Sequence, residues 1–289
     1  MELLFVAGRL LFSTVSSVLQ KQLTQRGLSP QDVVAATYLV LAALALPGIW
    51  LIDLGTLSPD FWRNISLASA LDVAGWLFLV LSLAQTDLSI FGPLNAYKVV
   101  ISMLLAILFL GETPSLQGLS GVALILAGSF LLMPAHRQAS PRWTALLRAR
   151  GVQYRFLSIL LFSVGTVFLK QSVQLATPLQ TLLLWSLIGL PLVLICNLCL
   201  RSGFPHTRLA SLQPHLRPCI AVGAAVFIMQ YLTLVLLAHM LVAYALALFQ
   251  LGMLLQVFVG YKLFREPDVL RRLLASAVMA AGSLVVLLA

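Results

Sequence analysis

The sequence predicts an all-α polytopic membrane protein with ten transmembrane helices, arranged as two inverted five-helix repeats. Three observations predict it. Of 289 residues, 61% are hydrophobic and 9% charged, with a mean hydropathy of +1.02, whereas soluble domains are about a quarter charged. Ten apolar stretches follow one another, each near the roughly 20 residues that a helix needs to cross about 30 Å of hydrocarbon. The second half also repeats the first: Leu10-Leu11-Phe12-Ser13 recurs as Leu160-Leu161-Phe162-Ser163, and Lys21-Gln22 as Lys170-Gln171. Leu110-Gly111-Glu112-Thr113 answers to Phe264-Arg265-Glu266-Pro267, and Ala127-Gly128-Ser129 to Ala281-Gly282-Ser283. An odd number of spans per repeat turns the second repeat upside down, an arrangement typical of transporters.

In chain order the first stretch is 3–20. It begins with Met1 and Glu2, has no basic n-region and no small-residue cleavage site, and therefore reads as a span rather than a signal peptide. The next four are 33–52, 66–85, 88–110 and the Gly-rich 116–133, which complete a first repeat over 1–133. The longest polar interval, 134–155, is a basic inter-repeat loop, too short for a soluble domain. The second repeat, 156–289, holds stretches at 156–175, 179–200, 218–238, 241–263 and 273–289. Cys196 and Cys199 form a CxxC inside an apolar helix without a second ligand pair, so they and Cys219 are read as small buried hydrophobes and no cofactor or metal is expected.

The formal charge of +9 is topological. Fourteen of the 18 Lys and Arg fall in odd-numbered loops, and Arg63 alone in an even one. Positive residues resist translocation, so the odd loops are expected to be cytoplasmic and both termini outside, in a plasma or inner membrane. The basic residues are scattered and no reader motif accompanies them, which excludes nucleic acid as a partner. The Arg-rich segment 141–154 is either an interfacial helix on membrane lipid or a solvated linker.

The fourth stretch ends Leu108-Phe109-Leu110-Gly111-Glu112. Before it stand Ala84-Gln85-Thr86 and Pro93-Leu94-Asn95-Ala96-Tyr97-Lys98-Val99-Val100, and after it a Gly-rich fifth stretch. This pattern resembles the drug/metabolite transporter superfamily in its ten-helix EamA-like branch, over almost the whole chain. The resemblance implies a transporter whose first, third, fourth, sixth, eighth and ninth helices wall a central cavity, with the fifth and tenth at the back. Two departures stand out. The charge count reverses the cytoplasmic termini usual in the family's bacterial members. The first helix also carries Arg9 where small multidrug relatives carry a proton-coupling Glu, which argues against cationic drugs as substrates.

A charge at mid-bilayer costs a few kcal/mol or more and is usually functional. At 1.5 Å per residue, Arg9 lies about 18 Å, Lys98 about 16 Å, and Asp72 and Lys170 about 21 Å from the odd-loop face. That single layer is where inverted repeats place a site. The candidate substrate-binding residues are therefore Arg9, Asp72, Lys98 and Lys170, together with Trp76, Asn95, Gln230, Tyr231, Tyr244 and Gln250 as hydrogen-bonding or stacking groups. Tyr97 and Gln256 join them, and Tyr38 and Trp185 are weaker candidates. The structural alternatives are snorkelling for Arg9 and Lys170, an Asp72–Lys98 ion pair, and interhelical hydrogen bonds for the amides. Glu112 and Glu266 read as cap or gate residues.

Three interior cations against one carboxylate favour a small polar metabolite with an acidic group, such as an amino acid or an organic or phosphorylated acid, moved by its own gradient or by coupling to a proton. No GxxxxGK[ST] motif supports direct ATP use. A flippase for a lipid or lipid-linked sugar is the alternative. An intramembrane enzyme is a third reading, weakened by the lack of HExxH, of a metal-ligand cluster and of a nucleophile beside a base. Small residues in the fifth and tenth stretches permit close packing, within a monomer or across a homodimer.

Overall fold

The computed structural model describes residues 2–83, 88–131, 150–199, 215–252, 255 and 269–289. Among them are ten α-helices: α1 (Glu2–Gln25), α2 (Pro30–Ala45), α3 (Pro59–Leu83), α4 (Leu88–Leu110), α5 (Leu116–Leu131), α6 (Arg150–Leu175), α7 (Pro178–Cys199), α8 (Leu216–His239), α9 (Val242–Phe249) and α10 (Val269–Leu287). Side chains supply the helix ends that the backbone leaves unpaired. Gly27, at a left-handed φ of 91°, closes α1 so that the Leu28 N–H reaches back to the Leu23 carbonyl. The Ser29 hydroxyl accepts from the Asp32 N–H to start α2, with Pro30 at its first position. Thr177 and Gln180 bond reciprocally to each other's N–H, a capping box that starts α7.

Several boundaries move from those expected. The stretch at 33–52 splits into α2 and a 3₁₀ turn over Leu46–Leu51, because Pro47 lacks the N–H that an α-helix requires. Helix α6 begins at Arg150 rather than 156, since Gly151 is already packed on α3, where its carbonyl accepts from Ser82 Oγ at 2.6 Å. Helix α9 leaves regular geometry at Phe249, as the Gln250 and Leu251 N–H groups bond three residues back, to Ala247 and Leu248. Glu266 and Gln256 lie outside the described residues.

By length and composition, five of the described helices can cross a membrane: Glu2–Thr24, Gln31–Trp50, Arg150–Leu175, Pro178–Leu198 and Leu216–His239. Their outward faces carry exposed Leu11, Leu160, Leu194 and Ile195, a pattern suited to lipid contact. The most extensive helix contacts pair one half with the other: α3 with α6, α5 with α10, and α1 with α8. Helices α5 and α10 meet nearly backbone to backbone, because a Cβ on Gly282 would lie 2.8 Å from the Gly121 carbonyl oxygen. The small residues of these two helices therefore pack within one chain. A single core cluster draws residues from both halves, from Val6 to Val286.

Candidate functional site

The interior polar group is assembled from α1, α3, α4, α6 and α7. Asp72, buried on α3, accepts a 2.9 Å hydrogen bond from Trp185 Nε1 of α7. Gly165 of α6 makes room for it, since a Cβ there would stand 2.9 Å from Asp72 Oδ1. Trp185 in turn tilts against Tyr38 of α2, ring centroids 5.6 Å apart. Gly189 admits that tyrosine, because a Cβ there would meet its ring at 2.2 Å. The Tyr38 hydroxyl is buried and has no hydrogen-bond partner among the described residues.

Lys98 of α4 does not ion-pair directly with Asp72 among the described residues. Its ammonium stands 4.8 Å from the centroid of Phe162 on α6, a cation–π distance, and Phe162 meets Trp76 edge-on at 6.1 Å. Lys98 still feels the field of Asp72, and that of Arg9 and Arg155 with opposite sign. Arg9 rests its guanidinium 3.7 Å from the Phe249 ring centroid, and its Nε is buried without a hydrogen-bond partner among the described residues. Among the described residues no carboxylate lies within ion-pair distance of Arg9 or Lys98. Both cations are thus held on aromatic faces, where attraction to the ring positions the charge and leaves N–H donors for another acceptor.

Tyr38, Trp76, Trp185, Gln20, Thr37 and Val226 surround a cavity of only ≈ 10 Å³. A single water needs about that much. A metabolite could enter only if these helices separated.

Lys170 leaves the central layer expected for it. Counted from Arg150, it lies about 30 Å along α6, at the opposite end of the bundle, and the depth reckoned from residue 156 fell short for that reason. There its side chain stands 3.9 Å from Glu112. Tyr244 belongs to the same end, with its hydroxyl 3.0 Å from the Ser115 N–H and 3.2 Å from Ser115 Oγ. Gly118 makes room for it, since a Cβ there would overlap the hydroxyl at 1.8 Å. Glu112 follows Gly111, whose φ of 65° turns the chain at the end of α4. Burial pushes the Glu112 carboxyl above the usual glutamate range, against the Val242 N–H and Lys170, which act to lower it.

Among the other expected residues, Trp76 lines the small cavity, and Gln230 and Gln250 are buried on α8 and just beyond α9. Tyr231 is 38% exposed, on the outward side of α8. Asn95 and Tyr97 are helical residues of α4 whose side chains lie outside the described set. Arg155 was not among the expected site residues, having been counted as a loop charge. It is buried on α6 seven residues before Phe162, two helical turns along the same face, and that spacing was the available signal.

The family model for EamA-like transporters matches residues 1–133. Over that segment, a little under half of its length, the chain is similar to the EamA-like transporter family. That family, part of the drug/metabolite transporter superfamily, consists of polytopic helical transporters, in keeping with the all-helical described residues and the five helices here that are long and apolar enough to cross a membrane. Among solved structures, 29 chains are similar to it. One, described only as "Crystal structure of protein", aligns with a TM-score of 0.76 at 16% identity, covering 99% of this chain and 96% of its own. At that identity the likeness shows the fold alone. No curated protein matches. The EamA-like assignment agrees with α5 and α10 packing on each other, away from the polar group.

Proposed function

We propose that the protein is a secondary transporter, an exporter or exchanger, for a small polar metabolite bearing an acidic group, such as an amino acid or an organic or phosphorylated acid. The observation that carries this reading is the pair of interior cations, Arg9 and Lys98, each held on an aromatic ring with no carboxylate at ion-pair distance among the described residues. Asp72, the one carboxylate of the central group, is engaged by Trp185. In a low-dielectric interior such cations repel positive solutes and attract an anion by several kcal/mol, about 4 per pair at 4 Å and an effective dielectric near 20.

The small volume of the cavity beside this group, ≈ 10 Å³, supports a reading of alternating access: the anion draws Arg9 and Lys98 together, and the helices part toward one side or the other. Asp72 is the candidate for proton coupling, because its protonation changes the charge balance at Lys98. The test is flux in sealed liposomes holding purified protein, with labelled glutamate, malate, glucose 6-phosphate and tetraethylammonium offered in turn. Saturable movement of one or more anions, without tetraethylammonium, is the expected result. Movement of the cation alone would reject the reading, and scrambling of a fluorescent lipid in the same vesicles would favour a flippase.

A further inference from the structure

A second charged group lies at one end of the bundle. Lys170, near the end of α6, donates from Nζ to the Leu237 carbonyl and, at 3.0 Å, to that of Met240, so its charge sits at the carbonyl end of α8. Glu112, on the corner between α4 and α5, accepts from the Val242 N–H at 2.8 Å through Oε2 and so caps the amide end of α9. Each charge has the sign that the helix end it meets favours. Around them Leu237, Val242, Ala243 and Ala245 are at most 1% exposed, so the backbone that the pair joins is tightly packed.

The link between the two charges is loose. Lys170 Nζ and Glu112 Oε1 are 3.9 Å apart, and Oε1 is buried with no hydrogen bond from the described residues. A tight charge-assisted bond measures about 2.7–2.9 Å. A buried carboxylate with one oxygen unsatisfied is costly in low dielectric, and water admitted by opening would relieve that cost. Glu112 also belongs to the first half of the chain and its partners to the second, so any separation of the halves at this end must break the contact.

We propose that the Glu112–Lys170 pair is a gate, which ties the first half to the α8–α9 turn and parts when the central site opens toward this end. The inference rests on alternating access but not on the charge of the substrate.

Glu112→Gln keeps an acceptor for Val242 and removes the charge facing Lys170. The reporter is Ala245→Cys, at 0% exposure, in a background with Cys196, Cys199 and Cys219 replaced by Ala. The probe is a membrane-impermeant trimethylammonium methanethiosulfonate, applied to protein in nanodiscs. A gate predicts labelling at least tenfold faster with Glu112→Gln. An unchanged rate identifies a static staple and overturns the proposal, whether or not the melting temperature falls. If the variant does not fold, the distance between spin labels at exposed Gln117 and Leu179 in the otherwise unaltered chain decides. Two populations support a gate and a single narrow one overturns it. Neither measurement uses a solute, so failure of the gate is distinguishable from failure of the flux assay.

Discussion

Lys98 carries the sharpest residue-scale prediction. Its stem and charge lie over Phe162, so Lys98→Met keeps the packing and loses only the ammonium. A hydrogen bond to a charged group is worth about 1.5–3 kcal/mol, so affinity for the transported anion should fall about tenfold or more, read from anion-induced thermal stabilisation. The melting temperature without anion should shift by no more than about 2 °C, as for a substitution that neither opens a cavity nor buries a new polar group. Equal affinity in the Met variant would remove Lys98 from recognition. Asp72 gives a complementary pair. Asp72→Asn retains an acceptor for Trp185 Nε1, whereas Asp72→Ala strands that buried donor, at a cost of about 1–3 kcal/mol in denaturant unfolding. That Arg9, Asp72 and Lys98 would turn toward the interior was legible in the sequence, because a charge inside an apolar span cannot face lipid cheaply. That Asp72 would bond Trp185 rather than Lys98 was not, since depth along a helix says nothing of the direction in which a side chain points around it.

Among the elements, helices whose hydrophobic pattern is unbroken were located best, and α4 spans Leu88–Leu110 as expected. Ends set by caps, prolines or contacts with the other half moved by several residues, as at α6. One such shift carried Lys170 from the central layer to a corner. The close approach of α5 and α10 was foreshadowed by their glycines and alanines, but the glycine in contact with Tyr244 was not, since its reason is a partner more than a hundred residues away. Gly118→Ala should force Tyr244 off Ser115 and destabilise the fold by about 1–3 kcal/mol, the usual cost of overpacking. A Cβ at Gly118 would also stand 2.2 and 2.5 Å from two ring carbons of Tyr244, so Gly118→Ala/Tyr244→Ala, which removes the whole ring, should cost less in thermal unfolding than the sum of the two single substitutions. Strict additivity would mean that the ring is not the clashing group.

The molecule as a whole interleaves its halves, and the distribution of its charges gives an expectation for its orientation. With odd loops cytoplasmic, Arg26→Cys in loop one should react with an impermeant maleimide only after the cells are opened, and Thr56→Cys, in the exposed turn before α3, should react on intact cells. The reverse pattern would restore the cytoplasmic termini usual among relatives. The bond between Asp72 and Trp185 spans 113 residues, and that span has a temporal meaning. At about 5–20 residues per second, a ribosome takes roughly six to twenty seconds to deliver the tryptophan after the aspartate has emerged. During that interval a carboxyl group waits inside the bilayer without its native donor. The nascent first half must be sheltered by the insertion machinery, or by transient partners, until the tryptophan has been made.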